Sequence, residues 1–146
     1  MASESIVVAC DHAGLVLKQE IVEALREMGR EVEDLGTHDA ASVDYPDYAH
    51  RASSLVVEGK HGLAVLVCGS GVGMAIAANK VPGIRAVVCS EPYSAAMARR
   101  HNDANVLCMG ARVVGPGLAR DILDAFLRQQ FEGGRHQRRV DKLEAC

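Results

Sequence analysis

Tryptophan is absent from the 146-residue chain, and two phenylalanines and three tyrosines bring aromatics to only 3%. Stacking platforms for nucleobases or sugar rings are therefore not expected. Positive charge is not in excess either. Sixteen Lys and Arg against 19 Asp and Glu leave a formal net charge of −3, which argues against nucleic acid as a partner. No apolar run approaches the ~20 residues of a membrane-spanning helix, so no membrane partner is expected. The five cysteines (Cys10, Cys68, Cys89, Cys108 and Cys146) are odd in number and contain no C-x-x-C pair. That spacing speaks against a disulfide framework and against a thiolate zinc site. Met1-Ala2-Ser3-Glu4-Ser5 has neither the positive region nor the apolar stretch of a signal peptide, so the expected location is cytoplasmic.

What remains is ordinary globular composition, 49% hydrophobic and 24% charged, of a length suited to one domain spanning 1–146. Continuous β-branched runs recur at Ile6–Ala9, Leu63–Val67, Arg85–Val88 and Asn105–Leu107, with Glu31–Glu33 a weaker fifth. Runs without alternation are the signature of parallel strands buried on both faces. Helical patterns lie between them. Leu17, Ile21, Leu25 and Met28 recur at spacings of three and four ahead of Gly29, a C-terminal stop. Further helices are expected over Pro46–Glu58, Gly71–Asn79 and Pro92–Arg100, with a fifth opened by Gly115-Pro116, since proline suits a first helical turn. The alternation predicts an α/β fold: a doubly wound, Rossmann-like, five-stranded parallel sheet with helices on both faces and a C-terminal helical extension.

In such sheets chemistry gathers where strands end and helices begin. After the strand ending at Val67 comes Cys68-Gly69-Ser70-Gly71-Val72-Gly73. Alternate glycines let successive N–H groups point at one anion, and the helix that follows adds its positive end. The spacing is neither the dinucleotide G-x-G-x-x-G nor a P-loop. A phosphatase loop needs an arginine near its end, where Met74 stands. The pattern reads as a cradle for a developing oxyanion, with Cys68 beside it as a proton-abstracting base. Three other cysteines also close strand runs, so it is the glycines that single out Cys68. A tight strand–helix turn, with Cys68 as a small core residue, is the structural alternative.

Asp11-His12 follows the first strand and can transfer protons or hold a hydroxylated ligand; otherwise Asp11 is a helix cap and His12 is exposed. Arg135 and Arg139 lie four apart, on one face of any helix that starts there. They suit a phosphate grip, or a solvated helix end. No H-x-H or H-E-x-x-H spacing occurs, so no metal and no cofactor are expected.

Taken together, Asp11-His12-Ala13-Gly14, the Cys68–Gly73 loop with Ile76-Ala77-Ala78-Asn79-Lys80, His101-Asn102, Gly110-Ala111-Arg112 and Gly134-Arg135-His136-x-x-Arg139 resemble the ribose-5-phosphate isomerase B family. That family also takes in galactose-6-phosphate and allose-6-phosphate isomerases. The resemblance covers nearly the whole chain in order. It implies an aldose–ketose isomerase of the pentose phosphate pathway that interconverts ribose 5-phosphate and ribulose 5-phosphate. By resemblance Cys68 is the C2-proton base, and Gly69, Ser70, Gly71, Val72 and Gly73 form the anion hole for a cis-enediolate. Asp11 holds sugar hydroxyls and His101 assists ring opening. His12, Arg112, Arg135 and Arg139 match phosphate ligands, and Tyr45 and Asn102 match sugar contacts. Ser70 stands where many members have threonine. Some members carry a glutamate base later in the loop, where this chain has Met74, so it resembles the cysteine type.

Topology adds a constraint. Asp11 and Cys68 follow strands, whereas His101 follows a helix of about nine residues, roughly 13 Å long, and belongs at the opposite edge. The expectation is a homodimer with shared active sites, which the resemblance also implies, with tetramers left open. A 6-phosphohexose substrate is the nearest alternative. From a different class comes a nucleotide-binding regulatory module with Glu91 as its ribose ligand, and behind it a cysteine-based redox enzyme or phosphatase.

Overall fold

The structure, a computed structural model, describes residues 5–146; Met1–Glu4, read above for a signal sequence, lie outside the described residues. Five strands form one all-parallel sheet in the order β2-β1-β3-β5-β4. They are β1 (Ile6–Cys10), β2 (Val32–Asp34), β3 (Leu63–Cys68), β4 (Ala86–Val88) and β5 (Val106–Gly110). Among the described residues six α-helices accompany them, α1 (Leu15–Glu27), α2 (Tyr45–Val57), α3 (Val72–Asn79), α4 (Pro92–Asn102), α5 (Pro116–Leu127) and α6 (Arg135–Glu144), with a short 3-10 turn at His12–Gly14 ahead of α1. Among the described residues no helix is long and apolar enough to cross a membrane.

The period-two geometry of each strand sorts the core into two layers. Ile6, Val8, Cys10, Val65, Val67, Leu107 and Met109 pack with residues of α1, α4 and α5. Their neighbours Val7, Ala9, Ala64, Leu66, Cys68, Val106 and Cys108 pack with α2 and α3. A uniform crossover hand explains this division. Helices α2 and α3 lead the chain across the sheet in one direction, and α1 and α4 lead it back.

All five strands differ from the expected runs by a residue or more at one end or both, β1 reaching Cys10, β2 shifting to Val32–Asp34 and β4 starting at Ala86. β3 ends at Cys68 itself, and β5 runs on to Gly110. Cys108 is therefore a mid-strand core residue, not one that closes a strand. Small and sulfur-containing residues at 108–110 hid the strand from a search for β-branched runs.

Lys18 of α1 is only 1% exposed, and its Nζ lies 2.7 Å from Asp34 at the end of β2. Asp34 Oδ1 also accepts from Gly36 N at 2.9 Å. This pair ties the edge strand to the first helix at the carboxyl edge. Removing one charge strands the other in the interior. Asp34→Asn keeps the Gly36 acceptor but orphans the ammonium, and is expected to cost about 2–3 kcal/mol, discounted for the partly exposed carboxylate. Lys18→Met is expected to cost less. Urea denaturation of both variants checks this, and a neutral Asp34→Asn would contradict it.

Candidate active site

Adjacent strands β1, β3 and β5 bring three loops together at the carboxyl edge. Cys10 pairs in register with Val67, and Cys68 with Gly110. The chain leaves β1 toward β2 and leaves β3 toward β4, in opposite directions. Such a switch point opens a crevice beyond the strand ends. Here it is a cleft of about 560 Å³, lined by Asp11, Tyr45, Cys68, Gly69, Ser70 and Arg112, among others. Two cavities of about 570 and 630 Å³ occupy the opposite edge. Neither touches the glycine loop.

Gly71 has φ +81°, and a Cβ there would meet Val88 Cγ2 at 2.7 Å and the Met109 carbonyl carbon at 2.9 Å. Only glycine satisfies both the left-handed backbone and the close approach. Its N–H donates to Cys68 Sγ at 3.1 Å. Val72 N donates to Ser70 Oγ at 3.3 Å. The loop is clamped from β5, since Ala111 N and Arg112 N donate to Cys68 O and Gly69 O at 2.8 and 3.0 Å. A Cβ on Gly73 would strike the Tyr45 ring at 2.7 Å, so the ring closes over the amino end of α3.

Asp11 does cap a helical turn: its Oδ1 accepts from Ala13 N and Gly14 N at 3.0 and 3.2 Å. It also lines the cleft, so the cap and the ligand-facing position coexist. His12 is exposed, and its Nδ1 accepts from Val43 N at 3.2 Å. That leaves Nε2 as an outward donor. Met74 is fully buried among core residues, so no base projects from that position. Glu91, the acid of the nucleotide-binding alternative, spends its carboxylate capping α4, with both oxygens 3.0 Å from Ser94 N.

The remaining candidates do not line the cleft. His101 and Asn102 form the last turn of α4, which runs past the expected end at Arg100. Asn102 lines an opposite-edge cavity with residues that lead into β4. Arg135 and Arg139 lie exposed on α6. His101 stacks on His136, with ring centroids 4.2 Å apart. Burial holds His136 below the ordinary imidazole range, and His101 and Arg135 add to the effect. The Arg100 hydrogen bond holds the Glu132 carboxyl low. Nothing in the sequence marks Glu132 or His136 as a pair beyond their i,i+4 spacing, which is common on helix surfaces.

A family model described as Ribose/Galactose Isomerase matches residues 6–143. The chain is 54% identical over 142 residues to ribose-5-phosphate isomerase B of Escherichia coli K12, covering 97% of this chain and 95% of that protein. It superposes on Clostridium thermocellum ribose-5-phosphate isomerase B with a TM-score of 0.95 at 50% identity, covering 97% and 95% of the two chains. The type B ribose 5-phosphate isomerase of Trypanosoma brucei gives 0.95 at 45% identity, covering 98% of each.

Burial pushes the Cys10 and Cys89 thiols up to about 11, and Cys108 well above its ordinary value. These three stay protonated at neutral pH and are shielded from reagents. At about pH 8, iodoacetamide is expected to modify exposed Cys146 first and cleft-lining Cys68 next. The buried three should react only on unfolding. Peptide mass spectrometry reads the order, and labelling of Cys10 as fast as Cys146 would contradict it.

Proposed function

The chain belongs to the ribose/galactose isomerase family, and we propose that it interconverts ribose 5-phosphate and ribulose 5-phosphate with Cys68 as the base. The observation that carries this reading is the Cys68 sulfur, set against the Gly71 N–H at the amino end of α3 in a cleft that Asp11 and Arg112 share. Ribose rather than galactose or allose rests on the relatives named as ribose-5-phosphate isomerases.

The reaction moves a carbonyl from C1 to C2. The Cys68 thiolate takes the C2 proton, and the electron pair shifts onto O1. N–H groups of the Gly69–Gly73 loop hold that charge, and Ser70 supports the loop. The sulfur then returns the proton to C1 while the O2 hydroxyl proton passes to O1. Asp11 and Tyr45 orient the sugar; His12 and Arg112 hold the phosphate. Backbone donors aimed at a developing oxyanion are worth about 10²–10³ in rate each.

Ring opening falls to His101, with Asn102 on the sugar and Arg135 and Arg139 on the phosphate, all supplied to the cleft by a second copy of the chain. Two features support a shared site. These four residues lie apart from their own chain's cleft, and exposed Val72, Ile76 and Val113 rim its mouth, an apolar edge for a partner to cover. The five unpaired cysteines favour the cytoplasm.

With ribose 5-phosphate and EDTA present, Cys68→Ala is expected to lose about 10²–10⁴ of kcat. Undiminished turnover in the variant would remove Cys68 as base. Allose and galactose 6-phosphates, assayed alongside, should turn over more slowly. Mixing inactive Cys68→Ala and His101→Ala chains, with subunit exchange verified, should restore part of the activity. A complete lack of recovery would place every catalytic group within one chain.

A further inference from the structure

The stacked histidines form part of a cluster in which the proposed isomerase chemistry gives a role to His101 and none to Glu132 or His136. His101, Glu132 and His136 each offer a ligating atom, and these atoms all lie within 4.8 Å of one another. Glu132 Oε1 is 3.9 Å from the Nε2 atoms of both His101 and His136. The carboxylate is held for this role by Arg100, whose carbonyl accepts from Glu132 N at 3.0 Å. The Arg100 Nε also donates to Glu132 Oε2 at 2.9 Å. The second oxygen thus faces the two imidazoles. His136 is 6% exposed, and its Nε2 has no hydrogen-bond partner. A buried ring nitrogen left without a partner is destabilising unless something occupies it.

We propose that His101, Glu132 and His136 form an inhibitory site for a zinc-class transition-metal ion. Two nitrogens and one carboxylate oxygen are a common zinc donor set with an open fourth position. Zinc bonds of ~2.0–2.2 Å place donors roughly 3.3–3.5 Å apart, so the cluster must contract by roughly 0.5–1.5 Å. The rings lie near parallel, 11° apart, and must swing out of the stack for their lone pairs to converge. Arg100, Arg135 and Arg139 make the surroundings cationic. That field opposes any divalent cation, and the donor set decides between them: two imidazole nitrogens against one carboxylate suit zinc-class metals and not magnesium or calcium, which seek oxygen. No short motif announces the site, because His101 lies far along the chain from the Glu132–His136 pair.

Binding stands on the geometry alone. Inhibition rests on the reading of His101 as the ring-opening residue, since metal on its Nε2 removes the lone pair that would move the proton. The test is a titration of metal-free full-length protein with Co²⁺, followed by its visible d–d absorption, with Zn²⁺ as competitor. One equivalent per chain is expected, weakened at least about tenfold by Glu132→Gln and by His136→Asn. Cys68→Ala and Cys146→Ser should leave it intact. Glu132 is a surface residue, so its variant guards against misfolding of His136→Asn. Affinity unchanged in both ligand variants, or lost with either cysteine, would overturn the site. In the assay, Zn²⁺ occupancy should abolish turnover and a chelator restore it. Full occupancy with full turnover would overturn the inhibition, and the role of His101 with it, while the metal site itself stood.

Discussion

The site depends above all on the contact between the glycine loop after β3 and the end of β5. Gly71 sits against Val88 and the Met109–Gly110 peptide with no room for a side chain, and the Ala111 and Arg112 amides just beyond β5 hold the carbonyls of Cys68 and Gly69. The loop conformation is thus set by packing and hydrogen bonds within the protein. Backbone dipoles fixed in advance are the condition under which an anion hole of the proposed kind stabilises an oxyanion. The same packing seats the Cys68 sulfur beside the Gly71 amide. The proposed base and its anion hole are thus one structural unit.

Strand order decides what this unit meets. With β1 and β5 flanking β3, Asp11 and Arg112 converge on the cleft from either side. In the chain they are far apart, one well before the loop and the other well after it. Helix α4 carries His101 the other way. It returns the chain from the carboxyl end of β4 to the amino end of parallel β5, so one chain keeps this histidine away from its own Cys68. The proposed division of the site between two chains therefore rests on the fold more than on any single residue.

Much of this is legible in the sequence, for identifiable reasons. Strands buried on both faces announce themselves as continuous apolar runs, and the glycines of the loop mark a backbone that side chains would obstruct. The placement of His101 away from Cys68 follows from a helix preceding a strand. The exchange of β4 and β5 in the sheet order is not legible, because pairing partners leave no mark in local sequence. Nor are the ends of β3 and β5, where cysteine, methionine and glycine replace the β-branched signal. Glu132 escapes notice because its importance comes from the fold, which sets Arg100 and two histidines around it.

If Cys68 takes a proton from C2 and returns it to C1, that proton passes through a group that can exchange with solvent. Conversion of ribose 5-phosphate in D₂O, with the product read by proton NMR, follows its fate. Exchange at the sulfur during the lifetime of the enediolate places deuterium at C1 of ribulose 5-phosphate. That label is expected with the wild-type chain, and is expected to disappear together with turnover in Cys68→Ser. Undiminished turnover by Cys68→Ser, with deuterium still entering at C1, would mean that another base carries the proton, and would contradict a relay through Cys68.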